Sequence, residues 1–323
     1  QGPMPSSPPS PEAARAAVRA VTRLSVAVAV ALVALKAFAL GASGSVSILA
    51  SLADSALDLV GSVTVFMAVR WAAAPPDDDH RFGRGKGEAL AALVQAGLVF
   101  ASALFIGFEA LQRLIDPQPV TEGGWAVGIM LLSMALTAFL IWHQRRVVTL
   151  TGSLAVSGDR AHYAADLAAG LVVVIGVASG SFLKAPGLDA AAGLIVMVWL
   201  VWGAVGLLRQ AADQLLDRAA PQDIQEAVVR AVTGDPRILG VHRLRTRMAG
   251  SAVEAQMHVD LDAGLSLAEA HDIVEAAGAR VREALPGTEV YLHADPAGAR
   301  RPISDPVVTA STPAAGPWSD PGG

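Results

Sequence analysis

Six long apolar stretches, separated by short polar ones, occupy the first two thirds of the chain, at 21–42, 47–71, 88–113, 124–144, 157–181 and 188–211. Each is long enough for a helix to cross a hydrocarbon core, which takes about 20 residues. The second and fifth are the least hydrophobic. Each carries two ionisable residues four positions apart: Asp54 and Asp58 in SLADSALDLVG, His162 and Asp166 in RAHYAADLAAG. That spacing puts both members of a pair on one helix face. After Asp217 the continuous apolar runs give way to shorter amphipathic segments, whose periodicity predicts a helix over 222–233, strands near 241–247 and 252–260, a helix over 267–285 and a strand near 289–293. Ser266, with Glu269 three residues on, has the form of a capping box at the start of the second of these helices. Gly287 is its stop signal. The order αββαβ predicts a small open sheet with two helices on one face.

Composition decides whether the apolar stretches belong in lipid. Of 323 residues, 53% are hydrophobic and only 16% charged, and the mean hydropathy is +0.48, well above what a soluble domain with a wet surface needs. Charge at bilayer depth is costly, so ionisable residues there usually face a bundle interior and mark an ion or proton path. Three carboxylates and one imidazole make a reasonable first shell for a divalent transition metal, provided the two helices face each other. A purely structural bridge between helices would more often use Ser, Thr or Asn.

Arg15, Arg19 and Arg23 precede the first span, Arg70, Arg81, Arg84 and Lys86 follow the second, and Arg145, Arg146 and Arg160 lie between the fourth and fifth. Only Arg113 and Lys184 lie on the other side, so the positive-inside rule predicts that both termini are cytoplasmic. Lys36, late in the first span, is expected to reach toward the outer interface. The net charge of −5 says little about partners when most of the chain lies in lipid, and no nucleic-acid partner is expected. The absence of cysteine excludes disulfides and thiolate metal sites. Gln-Gly-Pro ahead of Met4 has the form of a protease-cleaved tag remnant, without signal-peptide features. The resulting domains are a disordered 1–14, a membrane domain at 15–217, a soluble domain at 218–297 and a disordered tail at 298–323 rich in Pro, Ala, Ser and Gly.

Four of the seven histidines fall in the soluble domain: His242, His258, His271 and His293, with Asp295 two residues beyond the last. Three sit on or at the ends of different strands and one on a helix, so folding could gather them, and imidazole plus carboxylate is the usual zinc set.

The stretches GSVSILASLADSALD at 44–58, DDDHRFGRGKGEALAAL at 77–93, HYAAD at 162–166, LLDRAAP at 215–221 and HAD at 293–295 resemble the cation diffusion facilitators, specifically the bacterial zinc/proton antiporter branch, over residues 15 to 297. The resemblance implies an α-helical membrane protein with six transmembrane helices and a cytoplasmic α+β domain, ferredoxin-like or metallochaperone-like, that pairs two protomers into a homodimer in the bacterial inner membrane. It places a transport site on Asp54, Asp58, His162 and Asp166, and a cytoplasmic binuclear site on His242, His258, His271, His293 and Asp295. It also implies a charge pair between Lys86 and Asp217. One departure stands out. The related antiporters carry a further metal site in the loop after the second span, built from an Asp and two histidines. Asp77 and His80 match, but Arg84 occupies the second histidine's place.

The function expected from this is export of a divalent cation, Zn²⁺ first and Cd²⁺, Fe²⁺ or Co²⁺ also, in exchange for protons. His162 weighs against the manganese branch, where by resemblance the fifth span carries Asp. An enzyme is not expected: the chain has no HExxH, and GRGKG at 83–87 lacks the full phosphate-loop pattern. A membrane-anchored metal sensor without transport is the alternative.

Overall fold

The apolar stretches form six long helices: α1 (Pro11–Ser43), α2 (Val46–Ala72), α3 (Gly87–Ile115), α4 (Gly124–Thr151), α5 (Leu154–Ala178) and α6 (Leu188–Leu215). The computed structural model describes residues 11–43, 46–115, 124–178, 188–250 and 252–298. The Gln-Gly-Pro remnant, Lys184 and the tail beyond 300 lie outside them. Helix α1 starts at Pro11, well ahead of the expected span, and takes in residues 11–14. The chain divides into two units after Leu215.

Among the described residues of the first unit, four helices are by themselves long and apolar enough to cross a membrane, over Glu12–Gly41, Ser51–Ala72, Gly87–Ile115 and Ala190–Leu215. Helix α5 is central: it packs against α2, α3, α4 and α6. Polar side chains on such a helix meet protein rather than lipid. Small residues set the close approaches, as is usual where apolar tails give no drive for helix association. A Cβ on Gly158 of α5 would lie 2.9 Å from Gln95 Cβ on α3, and one on Gly107 would strike Met197 Sδ of α6. Val99, Ala103, Ala165, Leu200 and Ala204 fill the seam between α3, α5 and α6.

The second unit follows the predicted order: α7 (Gln222–Thr233), β1 (Gly240–Ala249), β2 (Ala252–Leu261), α8 (Leu267–Ala284) and β3 (Thr288–Pro296). Ser266 caps α8 with the reciprocal Glu269 hydrogen bonds of a capping box, and Gly287, at φ 91°, makes the turn after it. The sheet order is β1-β2-β3, antiparallel then parallel. Ala255, Met257, Val259 and Leu261 of β2 share one core with Val228 and Val232 of α7 and Ile273, Ala277 and Val281 of α8. The helices therefore cover the face of these odd-numbered β2 residues, and His258 belongs to the other face. Strand β1 contains a register shift: His242 pairs with His258, but the next pair is Arg245 with Gln256. Arg243, at φ 52°, takes the left-handed conformation that this bulge uses.

Candidate metal centres

Inside the helical unit, α2 and α5 bring Asp58, His162 and Asp166 together, with one ligand atom of each within 4.8 Å of the others. His162 Nε2 lies 3.0 Å from Asp58 Oδ1 and 3.9 Å from Asp166 Oδ2, so one nitrogen faces two carboxylates. Asp58 and His162 are 5% and 7% exposed. Among the described residues, His162 Nδ1 and Asp166 Oδ2 have no hydrogen-bond partner, which leaves donor atoms for a further ligand. A nitrogen lone pair and carboxylate oxygens suit a divalent transition metal. Asp54, one turn earlier on α2, is exposed in the chain taken singly and falls outside this group. Lys36 lies late in α1. Its Nζ turns onto α2 and donates to Ser55 Oγ at 2.6 Å and Ser51 O at 3.1 Å, because oxygens within reach offset the cost of an ammonium among apolar groups.

A second polar layer lies one turn from this cluster, toward the 73–86 loop on α2 and the 152–153 turn on α5. Asp159 accepts from Gln144 Nε2 at 2.8 Å and, at a longer 3.4 Å, from Ser62 Oγ. Gln144 Nε2 also donates to Ser25 Oγ at 3.1 Å, and Ser62 Oγ meets Tyr163 OH at 2.8 Å. Asp159 belongs to neither of the two ionisable pairs spaced four apart. The signal was its spacing, three residues before His162 and seven before Asp166, on the same stripe of α5.

In the soluble unit, strand register aligns His242, His258 and His293 in one row across the sheet, with Asp260 opposite Asp295 in the next. Asp295 Oδ2 is 2.9 Å from His258 Nδ1 and 3.3 Å from His242 Nε2, while Oδ1 is 3.2 Å from His293 Nε2. The two carboxylate oxygens thus serve different histidines. Burial raises the pKa of Asp295, but the His258 hydrogen bond and the charges of His258, His293 and His242 outweigh it, and the net shift is downward. His271 is exposed on α8, which covers the opposite face of the sheet, and is not among the residues brought together. His242, His258 and Asp295 are a donor set that fits zinc.

The 73–86 loop is organised around Asp77. Arg84 Nη2 pairs with its Oδ2, the His80 backbone N–H donates to Oδ1 at 2.8 Å, and the Arg84 guanidinium lies 5.6 Å from the Trp71 ring centre. The His80 backbone hydrogen bond, with Arg84 beside it, holds the Asp77 carboxyl below the usual carboxylate range. Lys86 Nζ donates to Leu215 O at 3.4 Å, and Asp217, at φ 59°, accepts from Arg247 at 3.2 Å.

Residues 22–216 match the family model described as the cation efflux transmembrane domain, and 220–297 match that of the cation efflux protein cytoplasmic domain. The cation-efflux pump FieF of Citrobacter koseri is 36% identical over 263 residues, covering 81% of this chain and 87% of its own. The protein of the same name from Shewanella oneidensis is 38% identical over 256 residues, covering 79% and 86%. A solved structure on the mode of action of the candidate zinc transporter CzrB, in its zinc form, is 27% identical with a TM-score of 0.24, covering 27% of this chain and 99% of its own.

Proposed function

The chain belongs to the cation efflux family, and from this premise we propose that it exports Zn²⁺ from the cytoplasm in exchange for protons, as a homodimer in a bacterial inner membrane with both termini inside. It is a cation efflux transporter and not an enzyme. The observation that carries the finer reading is His162 Nε2 poised between Asp58 and Asp166 in the bundle interior. An imidazole nitrogen has one lone pair, which holds either a proton or a metal. Carboxylates must likewise give up protons to become ligands. Metal and protons then compete for one site, and exposing it alternately to each side makes the competition an exchange. Asp54, one turn away, is the fourth ligand in this reading, recruited when the metal arrives.

The mixed oxygen and nitrogen set supports Zn²⁺ as the first substrate, with Cd²⁺, Fe²⁺ and Co²⁺ as competitors. In the soluble domain, His242, His258 and Asp295 would hold one resident zinc, and His293 with the second oxygen of Asp295 would begin a neighbouring one. Such ions supply cross-links between strands and between protomers, and they are not the cargo. The test is zinc flux by the full chain in sealed vesicles under an imposed pH gradient. Flux that follows the gradient, with zinc and protons moving oppositely, supports the antiporter. Zinc binding without flux would replace it with a sensor, and flux indifferent to the gradient would remove the proton from the mechanism.

A further inference from the structure

Asp159 is 1% exposed, inside a helical bundle, and it accepts hydrogen bonds from neutral groups, Gln144 and Ser62. A bare carboxylate in such surroundings is costly, and the group's cheapest state there is the neutral acid. The surrounding elements offer little to offset a charge. Helix α1 presents Ser25, α2 presents Ser62 and one turn further Asp58, α4 presents Gln144, and α3 presents Gln95 beside Gly158. Helix α6 contributes apolar side chains to its seam with α5, and on α5 itself the neighbours are Tyr163 and, one turn on, His162. A bridge between helices needs only a fixed donor or acceptor, which Ser or Asn provides. A carboxyl adds a transferable proton. Two further observations point the same way. Ser62 Oγ lies within hydrogen-bond distance of both Asp159 and the fully buried Tyr163 hydroxyl, so a chain of exchangeable O–H groups runs along the α2/α5 seam beside the metal cluster. Gln144, itself fully buried, keeps Oε1 without a partner among the described residues. That is an unspent acceptor for a water or a protonated carboxyl in the same layer.

We infer that Asp159 is a proton station between the metal cluster and the loop side of the bundle, used when metal displaces protons from Asp58, His162 and Asp166. The resting acid gives its proton to water on the loop side, and the transient carboxylate takes one from the cluster as the metal enters. Asp159 ends as the acid again, and one proton has left the cluster. This role rests on the antiport reading and adds a positioning residue that does not touch the metal.

The test uses the full chain in proteoliposomes, with zinc as the probe. Asp159→Asn keeps the shape and hydrogen-bonding capacity and removes the transferable proton. Membrane-site zinc affinity should stay within about twofold, turnover should fall on the order of tenfold to a hundredfold, and its dependence on loop-side pH should flatten. Asp159→Glu should recover part of both the rate and the pH profile. Wild-type turnover and pH dependence in Asp159→Asn would overturn the inference, and so would loss of zinc binding in step with turnover, which marks a scaffold. Should Asp159→Asn fail to assemble, Tyr163→Phe decides. It removes only the hydroxyl, and turnover must fall several-fold at unchanged zinc affinity, an unchanged rate counting against the relay. Failure of antiport itself reads differently, as wild-type flux that ignores the pH gradient.

Discussion

Asp58 on α2 and His162 on α5 lie 104 residues apart in sequence and 3.0 Å apart in space. Each is buried, and Asp166 Oδ2 lies 3.9 Å from the same imidazole nitrogen. Replacing Asp58, His162 or Asp166 by Ala should weaken zinc binding in the membrane by at least about 100-fold, since each removes a direct donor. Calorimetry on a background lacking the soluble-domain histidines isolates that site. Asp54→Ala should cost less affinity than any of these three in the resting conformation while still impairing transport. Equal affinity losses for all four would mean that Asp54 is a full ligand from the start.

The two oxygens of Asp295 face different histidines. Asp295→Ala should therefore lose both soluble-domain ions, His293→Ala only one, with about three ions per protomer in the unmodified chain. Metal analysis after dialysis gives the counts. Dimer dissociation should increase in the same order, and zinc turnover at saturation should change less than dimer affinity does.

The guanidinium of Arg84 is a cation with no lone pair to offer a metal, so its pairing with Asp77 supplies the positive charge a metal would bring to the loop. Zinc binding at Asp77 and His80 should be weak or absent in the unmodified chain. Arg84→His should create an additional binding event, and Asp77→Ala in that background should abolish it. X-ray anomalous density at full occupancy on Asp77 and His80 with Arg84 in place would contradict this.

Asp235 is 6% exposed and accepts from Arg237 Nε and Nη2 at 3.0 and 2.8 Å and from Arg280 Nη1 at 3.3 Å, joining the end of α7 to α8. The Arg237 hydrogen bonds pull its carboxyl well below the usual carboxylate range. A folded-state pKa below the unfolded one gives stability that is complete above about pH 4 and is lost as pH falls through the folded value. Asp235→Asn should destabilise the soluble unit by about 1–2 kcal/mol near neutrality, a figure discounted for the exposure of Arg237. It should also remove most of the acid sensitivity of that unit. Hydrogen exchange over 222–297 in the full chain reads both, and an unchanged acid profile in Asp235→Asn would show that the ion cluster contributes little.

Much of this architecture was legible from two periodicities. Spacing of four within α2 and α5 identifies Asp58, His162 and Asp166, and alternation with a capping box identifies β2 and α8. What spacing cannot supply is rotation of one helix against another. Asp54 shares a face with Asp58, yet a small rotation leaves it outside the group around His162. Asp159 stands beside Arg160 at a span's edge, where sequence alone does not tell a solvated charge from a buried one, and only the packing of Gln144, Ser25 and Ser62 around it shows a buried carboxyl. His271 looked equivalent to its neighbours in composition, but α8 lies across the sheet from the histidine row. Lys36 found partners on α2 that lie 15 and 19 residues away in sequence.

The bulge at Arg243 also frees β1 from a choice that strict alternation would force. In an unbroken strand, His242 would share its face with Leu244, Thr246 and Met248. The strand could then offer its histidine to the metal row or its apolar side chains to the core, but not both. With the extra residue, Val241 points inward ahead of the bulge, and Thr246 and Met248 pair across from the core residues Ala255 and Val253 after it. His242 and the rest of β1 are thus written in different frames of the same alternation. Pairing β1 without the bulge, every residue kept, would leave a good hydrophobic strand, but it would turn His242 toward the core and put Arg243 opposite His258, where the metal row needs an imidazole. A change that harms neither hydrophobicity nor strand length can in this way erase a ligand.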